Sequence, residues 1–234
     1  MKKPSKLHCL TDLKARILSQ DIAPGSDLDE ARLSEEYGIS RTPLREVLQR
    51  LAGDGYVQQQ ENRGAKVVSM DLAVMRVFFQ TAPLIYSSIA RLAAENRTSR
   101  QLAGLKTTQQ SFTQAALGRE NAKAALLNHQ FHEQIGDMAQ NPYLLASLNR
   151  MLVDHTRLSH TFFRPQTHAD ETRIAKSIAQ HDAMIAAIEA REPSVAIDLT
   201  LQHWDLSRDQ LEKYVRPDPL PLDVISMKEK SHAI

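Results

Sequence analysis

The sequence predicts a mainly α-helical chain: a winged helix-turn-helix at the N-terminus, followed by an all-α antiparallel helical bundle. Three observations carry that prediction. Residues 33–57 read as helix, glycine turn, helix and entry into a strand. Two short strand-like segments then flank Glu61-Asn62-Arg63-Gly64, a turn-forming tip. From Met70-Asp71 onward, alternation gives way to long runs of helical period.

Each element has its own reason. Residues 7–19 place Leu10, Leu13, Ile17 and Leu18 near one helical face, and Pro24-Gly25 closes the connection that follows. Residues 29–37 form a second helix. Gly38 supplies the positive φ that a sharp reversal needs. Residues 41–54 form the third, with Ser40 or Thr42 as its cap and Pro43 in its first turn, where a missing N–H costs nothing. Leu44, Val47, Leu48 and Leu51 recur at helical spacing and face inward. Residues 56–60 and 65–69 are the strands of the wing. The first long helix, 71–96, contains Pro83, which removes one helix hydrogen bond. Helices follow at 99–117, 120–140, 142–163, 170–191 and 194–215, with Thr98 or Ser99, Gly118, Asn141-Pro142, Arg164-Pro165 and Pro193 as punctuation. Six helices of this length predict a bundle. The expected organisation is therefore a winged helix-turn-helix domain over 1–70, a helical domain over 71–215, and a tail over 216–234 that carries Pro217, Pro219 and Pro221.

Composition narrows the classes. The chain has 234 residues, of which 42% are hydrophobic, enough for a core. Its formal net charge is +1, so a nucleic-acid partner requires local arrangement of basic residues. The single cysteine, Cys9, excludes an internal disulfide and suits a reducing compartment. No run approaches the roughly 18–20 apolar residues of a membrane span. The expectation is a cytoplasmic protein with no membrane partner.

The first chemical signal lies on the third helix. Arg41, Arg45 and Gln49 are four apart and share an outward stripe. Arg donates in a fork to guanine and Gln pairs with adenine in a major groove. Ser40 and Thr42 sit where hydroxyls and helix N-terminal amides meet phosphate. Arg63 at the wing tip can enter a minor groove or clamp the backbone. An isolated Arg-x-x-x-Arg reads as a solvated basic face. The preceding helix, glycine turn and following hairpin favour DNA.

The second signal lies in the bundle. Helix 120–140 places Ala125, Asn128, His132, Ile135 and Ala139 on one stripe. Helix 170–191 places Ile174, Ile178, His181, Ile185 and Ile188, and helix 194–215 places Ala196, Leu199, His203 and Leu206. Three imidazoles and an amide thus fall where spacing predicts core, which is costly without partners. A shared divalent metal would satisfy them together if the three helices converge. A lone His on an apolar face more often reads as a hydrogen-bonded core residue. His155, on a stripe with Met151, Leu158 and Phe162, is a candidate pocket or core residue. Arg157 reads first as a surface arginine, with pairing to a carboxylate as the alternative. Phe78, Phe79, Phe162 and Phe163 read as core or dimer contacts, and His129 should point away from His132.

Taken together, Ile22-Ala23-Pro24-Gly25-Ser26, Leu33-Ser34, the run Gly38 to Glu46, Leu48-Gln49-Arg50-Leu51, Asp54-Gly55 and Asn62-Arg63-Gly64-Ala65 resemble the GntR family of bacterial regulators. The resemblance implies a dimeric transcription factor whose DNA contacts fall on Arg32, Ser40, Arg41, Thr42, Arg45, Arg63 and Gly64. The helical half resembles the FCD effector domain of the FadR-type branch, on Leu92-Ala93-Ala94, Asn128, Phe131-His132, Asn141, His181 and His203, and with six helices is similar to the VanR-like subgroup. That resemblance implies a metal held by Asn128, His132, His181 and His203, zinc foremost, with nickel or manganese as alternatives. Asn128 stands where the family more often has Asp, so the site carries less negative charge. Ala82 and Tyr86 stand where members commonly carry Arg and Glu.

The expected function is a ligand-responsive repressor. A homodimer would bind half-sites of a pseudo-palindromic double-stranded operator, and a small carboxylate would bind at the metal, with His155 and Arg157 as candidate effector contacts. Three rivals use the same residues, one of them a metal-free bundle in which the histidines are simply buried. A metal-responsive regulator would take the ion itself as signal. A three-His hydrolase would need a general base, and no carboxylate is placed on these stripes, so an enzyme is not expected.

Overall fold

The computed structural model describes residues 5–60 and 64–215. The proline-containing tail, the wing-tip residue Arg63 and His232 lie outside the described residues. The chain orders as α1 Lys6–Leu18, β1 Asp27–Leu28, α2 Glu30–Tyr37, α3 Arg41–Gly53, β2 Val57–Gln60, β3 Gly64–Val67, α4 Leu72–Asn96, α5 Ser99–Leu117, α6 Asn121–Met138, α7 Pro142–Phe162, α8 His168–Ala190 and α9 Pro193–Val215.

The winged half forms from short-range rules. Ser5 caps α1 by accepting from the His8 amide, and Leu10, Leu13, Ile17 and Leu18 are buried. Asp29 caps α2, and Gly38 ends it at φ 61°, with its N–H on the carbonyls of Ser34 and Glu35. Leu44, Val47, Leu48 and Leu51 of α3 are buried. The sheet is antiparallel in the order β1-β3-β2, and Gln60 pairs Gly64 at the end of the hairpin. Gly64 is required: at φ +81° a Cβ would stand 2.9 Å from the Leu28 carbonyl oxygen. β1, two residues long, was not anticipated. A strand that short has no period to read, and only its pairing with β3 creates it.

Six helices make the second half. Thr98 opens α5 with a capping box to Gln101, and Thr167 opens α8 with one to Asp170. The α8 start therefore falls at His168, before the expected position 170, because the cap is Thr167. Pro193, expected as a break, is the first residue of α9, the position that tolerates a missing N–H. α4 runs unbroken through Pro83. It is long and apolar enough by composition to cross a membrane. In the fold it packs with α6, α7 and α9, burying Met75, Phe78, Ala82, Tyr86 and Ile89.

The two halves share a seam. Val153 of α7 belongs to the same apolar cluster as Leu13, Ile17 and Leu28 of the winged half. Gln20 Nε2 donates to the Arg157 carbonyl at 2.6 Å, and Arg157 Nη1 donates to the Val68 carbonyl at 2.8 Å.

Candidate functional site

Two sites emerge. The first is on α3. Arg41, Arg45 and Gln49 are exposed, and together with Gln59, Gln60 and Gly64 of the wing they line one concave surface. Thr42 is exposed beside them, and Ser40 holds the N-cap position of α3 without a side-chain capping bond, so its hydroxyl is free for a partner outside the helix. Arg32 is exposed on α2, its amide held by the Asp29 cap. Arg45 Nε donates to Glu30 Oε2 at 2.9 Å in a solvent-exposed pair. Such a pair is worth little, so releasing Arg45 to a nucleic acid is cheap. Gln59 and Gln60 were not singled out from the sequence. A polar run on a short strand carries no chemistry until the fold sets it opposite α3.

The second site is buried in the bundle. α6, α8 and α9 bring His132, His181 and His203 together, with one nitrogen of each within 4.8 Å of the others. All three are buried, as is Asn128. His181 Nδ1 lies 3.0 Å from Gln109 Oε1. That amide is fixed, because Gln109 Nε2 donates to the Ile178 carbonyl at 3.2 Å and to Asp182 Oδ1 at 3.0 Å. Its oxygen must therefore face His181, whose Nδ1 carries the proton and whose Nε2 is left as a lone pair. His203 Nδ1 lies 3.1 Å from Gln180 Oε1, which assigns it the same tautomer. The two Nε2 atoms then face each other at 3.3 Å with no proton between them.

Electrostatics keep the rings neutral. Burial, then the neighbouring imidazoles, hold His132 and His181 well below the usual histidine range. Burial lowers His203 to about 4. His132 Nε2 and Asn128 Oδ1 are buried and have no hydrogen-bond partner. Asn128 Nδ2 donates to Ser159 Oγ at 3.2 Å, which leaves the amide oxygen as its unused acceptor. Two unprotonated imidazole nitrogens, a third imidazole nitrogen without a partner and one unused amide oxygen, all buried together, fit a divalent transition metal. Gln109 and Gln180 were missed from the sequence, since nothing in a glutamine's spacing shows which imidazole it will meet.

The remaining candidates resolve differently. His155 is buried, 2.8 Å from the Tyr86 hydroxyl through Nδ1, and its ring lies 4.7 Å from that of His132. Tyr86 also meets His132 and Trp204 edgewise or tilted, so it fills space beside the cluster. Arg157 is not the surface arginine expected: it is 0% exposed, because α7 turns it into the seam with the winged half. It pairs with Asp154 on its own helix. His129 turns from the cluster to Thr156 Oγ1 at 2.7 Å. Phe78, Phe162 and Phe163 are core and Phe79 packs against it, and Phe79 and Phe162 also line a cavity.

Comparison with known proteins adds to this geometry. Residues 8–67 match the gntR family of bacterial regulatory proteins, and residues 80–206 match the FCD domain. The chain is 28% identical over 228 residues to the Exu regulon transcriptional regulator of Escherichia coli K12, covering 89% of this chain and 86% of that one. It is 22% identical over 211 residues to the HTH-type transcriptional regulator YdhC of Bacillus subtilis (strain 168), covering 89% and 92%. Among solved structures, E. coli McbR/YncC superposes with a TM-score of 0.76 at 20% identity, covering 90% of this chain and 98% of that one, a likeness of fold.

Proposed function

The chain belongs to the GntR family of bacterial regulatory proteins and carries an FCD domain, and from that premise we propose an effector-controlled repressor that reads its operator as a homodimer. Transcription regulation and DNA binding come with the family. Metal, effector, sign of regulation and assembly are the proposed parts.

Asn128, His132, His181 and His203 would hold a divalent transition metal, zinc foremost, whose open positions would supply a Lewis acid for one carboxylate oxygen of a small organic acid. The observation that carries this reading is the pair of unprotonated Nε2 atoms of His181 and His203 at 3.3 Å, next to the unpartnered Nε2 of His132. Gln109 and Gln180 hold the two tautomers, and Asn128, being uncharged, leaves the centre more electropositive than a carboxylate would. A dimer is supported by the exposed apolar residues Val77 (60%) and Leu84 (69%), seven apart on α4. Two winged domains related by a two-fold axis suit half-sites on one DNA face.

Elemental analysis of the purified chain tests the metal. The expected result is stoichiometric zinc or a similar ion, lost in His181→Ala, with binding to DNA fragments selected from a random pool retained. Stoichiometric metal in His181→Ala would remove that residue from the set. A metal-responsive regulator is the second reading, favoured by the same cluster. It predicts that DNA affinity follows free metal with no organic acid present.

A further inference from the structure

A cavity of about 400 Å³ lies between the end of α3 and the bundle. Lys14 of α1, Arg50 of α3, and Asp54 and Tyr56 of the turn that follows line it from the winged half. His129 and Glu133 of α6 and Arg150 of α7 line it from the bundle. Asn128, His132, His181 and His203 are not among its walls.

The wall carries more cation than its own acids use. Lys14 is taken by Asp54 at 2.6 Å. That leaves two arginines, one from each half, against Glu133. Among the described residues neither Arg50 nor Arg150 makes a hydrogen bond or an ion pair. Arg50 stands in the last turn of α3, where it also offsets the negative end of that helix. Arg150 feels Asp154 one turn along α7, but that carboxylate pairs with Arg157. Arg150 is placed all the same: it lies on the backbone of Gly55, where a Cβ would stand 2.8 Å from its Cζ. Tyr56 is 6% exposed, and its hydroxyl has no hydrogen-bond partner among the described residues. A buried phenol usually finds one, so here the donor is left for a group that enters the cavity. Acceptors are present as well. Thr156 gives its proton to the Leu152 carbonyl at 2.6 Å, so it accepts from His129 Nδ1 at 2.7 Å, and His129 Nε2 is left as a lone pair.

We propose that this cavity binds a small phosphomonoester, its phosphate on Arg50, Arg150 and the Tyr56 hydroxyl, and hydroxyls of its body on His129 and Glu133. Guanidinium forks match phosphate oxygens, and a dianion answers two cations at once. The phosphate then bridges the halves. Arg50 follows Gln49 on α3, and Arg150 lies on the turn that leaves that helix. Without an anion two like charges oppose each other across the seam, and with one they share it. The ligand therefore favours one placement of α3 against α7 over others, which is what control requires. This site goes beyond the proposed effector reading and rests on neither the metal nor a carboxylate.

The test is calorimetric titration of the full chain with glycerol 3-phosphate, inorganic phosphate and glycerol, in EDTA and at constant ionic strength. Glycerol 3-phosphate should bind, inorganic phosphate should bind more weakly, and glycerol should not bind. Arg50→Gln and Arg150→Gln, both at exposed positions that leave the core intact, should each weaken the ester at least about tenfold, the size of one charge-assisted bond. Tyr56→Phe should weaken it by roughly two- to tenfold, the size of a neutral one. Arg45→Ala, on the outward stripe of α3, should leave it unchanged. The ester should also shift the affinity of the wild-type chain for selected DNA, read by fluorescence anisotropy, and should not do so in Arg150→Gln. Full binding in Arg150→Gln, or binding lost in Arg45→Ala instead, would place the anion on the DNA-facing surface and overturn the site. No binding by folded wild-type protein would overturn it too. Equal affinity for phosphate and ester would overturn the hydroxyl contacts, and an unshifted DNA affinity the link to α3. Because EDTA removes metal throughout, each of these failures leaves the proposed function intact.

Discussion

Single residues decide the chemistry of the buried cluster. Gln109 holds the His181 proton on Nδ1 through an oxygen that its own amide bonds cannot release. Partners of this kind typically change metal affinity by about 10–100-fold. Gln109→Leu is therefore expected to lower metal affinity by that order, measured by competition with a chromogenic chelator. The metal-free chain should also be acid-sensitive. Burial lowers His203 to about 4, and burial followed by His203 and His129 lowers His155 to about 3, against an ordinary 6.5. Unfolded histidines take up protons below 6.5 while these do not. Their contribution is thus complete above pH 6.5 and is lost as pH falls from there toward the folded values. Melting temperature in EDTA should decline over that window, and a flat profile would contradict neutral buried rings. Cys9 is a simpler case: it is buried, and burial, aided by Asp12 and Glu36, raises its thiol to about 11. It should not react with a thiol reagent at neutral pH until the chain unfolds.

At the scale of elements, helix boundaries came from side-chain chemistry that the sequence displays. Asp29, Asp71, Thr98, Asn141 and Thr167 each accept from amides in the first turn of the helix they open. Thr98→Ala should lower stability by about 0.5–2 kcal/mol, the usual value of a cap, read from denaturant melts. The inward stripes were legible because a helix repeats, and Ala125, His132, Ile174, His181 and His203 are buried as the period demands. The outward stripe of α3 supports a different prediction. Arg45→Ala should weaken DNA binding by about 1–3 kcal/mol if Arg45 makes a bidentate base contact. A gel-shift titration with selected DNA checks it, and unchanged affinity would mean that Arg45 does not contact a base. β1 was illegible for a reason of scale: Asp27 and Leu28 form a strand only because β3 lies beside them.

At the scale of the whole molecule, the two halves are joined through α7, whose one face carries Val153 and Arg157 toward the winged half and whose other positions reach the cluster through Ser159 and His155. Coupling between an effector and DNA needs such a physically continuous element with two arrangements that the ligand tells apart. Assembly belongs to this scale as well. Leu84→Glu, on the exposed face of α4, is expected to convert a homodimer to a monomer in light scattering and to weaken binding to two-half-site DNA more than to a single half-site.

The sequence by itself determined what is local or periodic: the helix-turn-helix with its glycine, the caps at Thr98 and Asn141, the six amphipathic helices, and the placement of Asn128, His132, His181 and His203 on inward stripes. Those follow from backbone sterics and from the 3.6-residue period, which any reader of the chain can apply. Only the tertiary structure decided that the three histidine stripes meet at one point, that Gln109 and Gln180 set their tautomers, and that Arg157 is buried at a seam between the halves. These depend on which helices pack together and at what rotation, and that choice is made by the summed burial of residues far apart in the chain, not by any one segment.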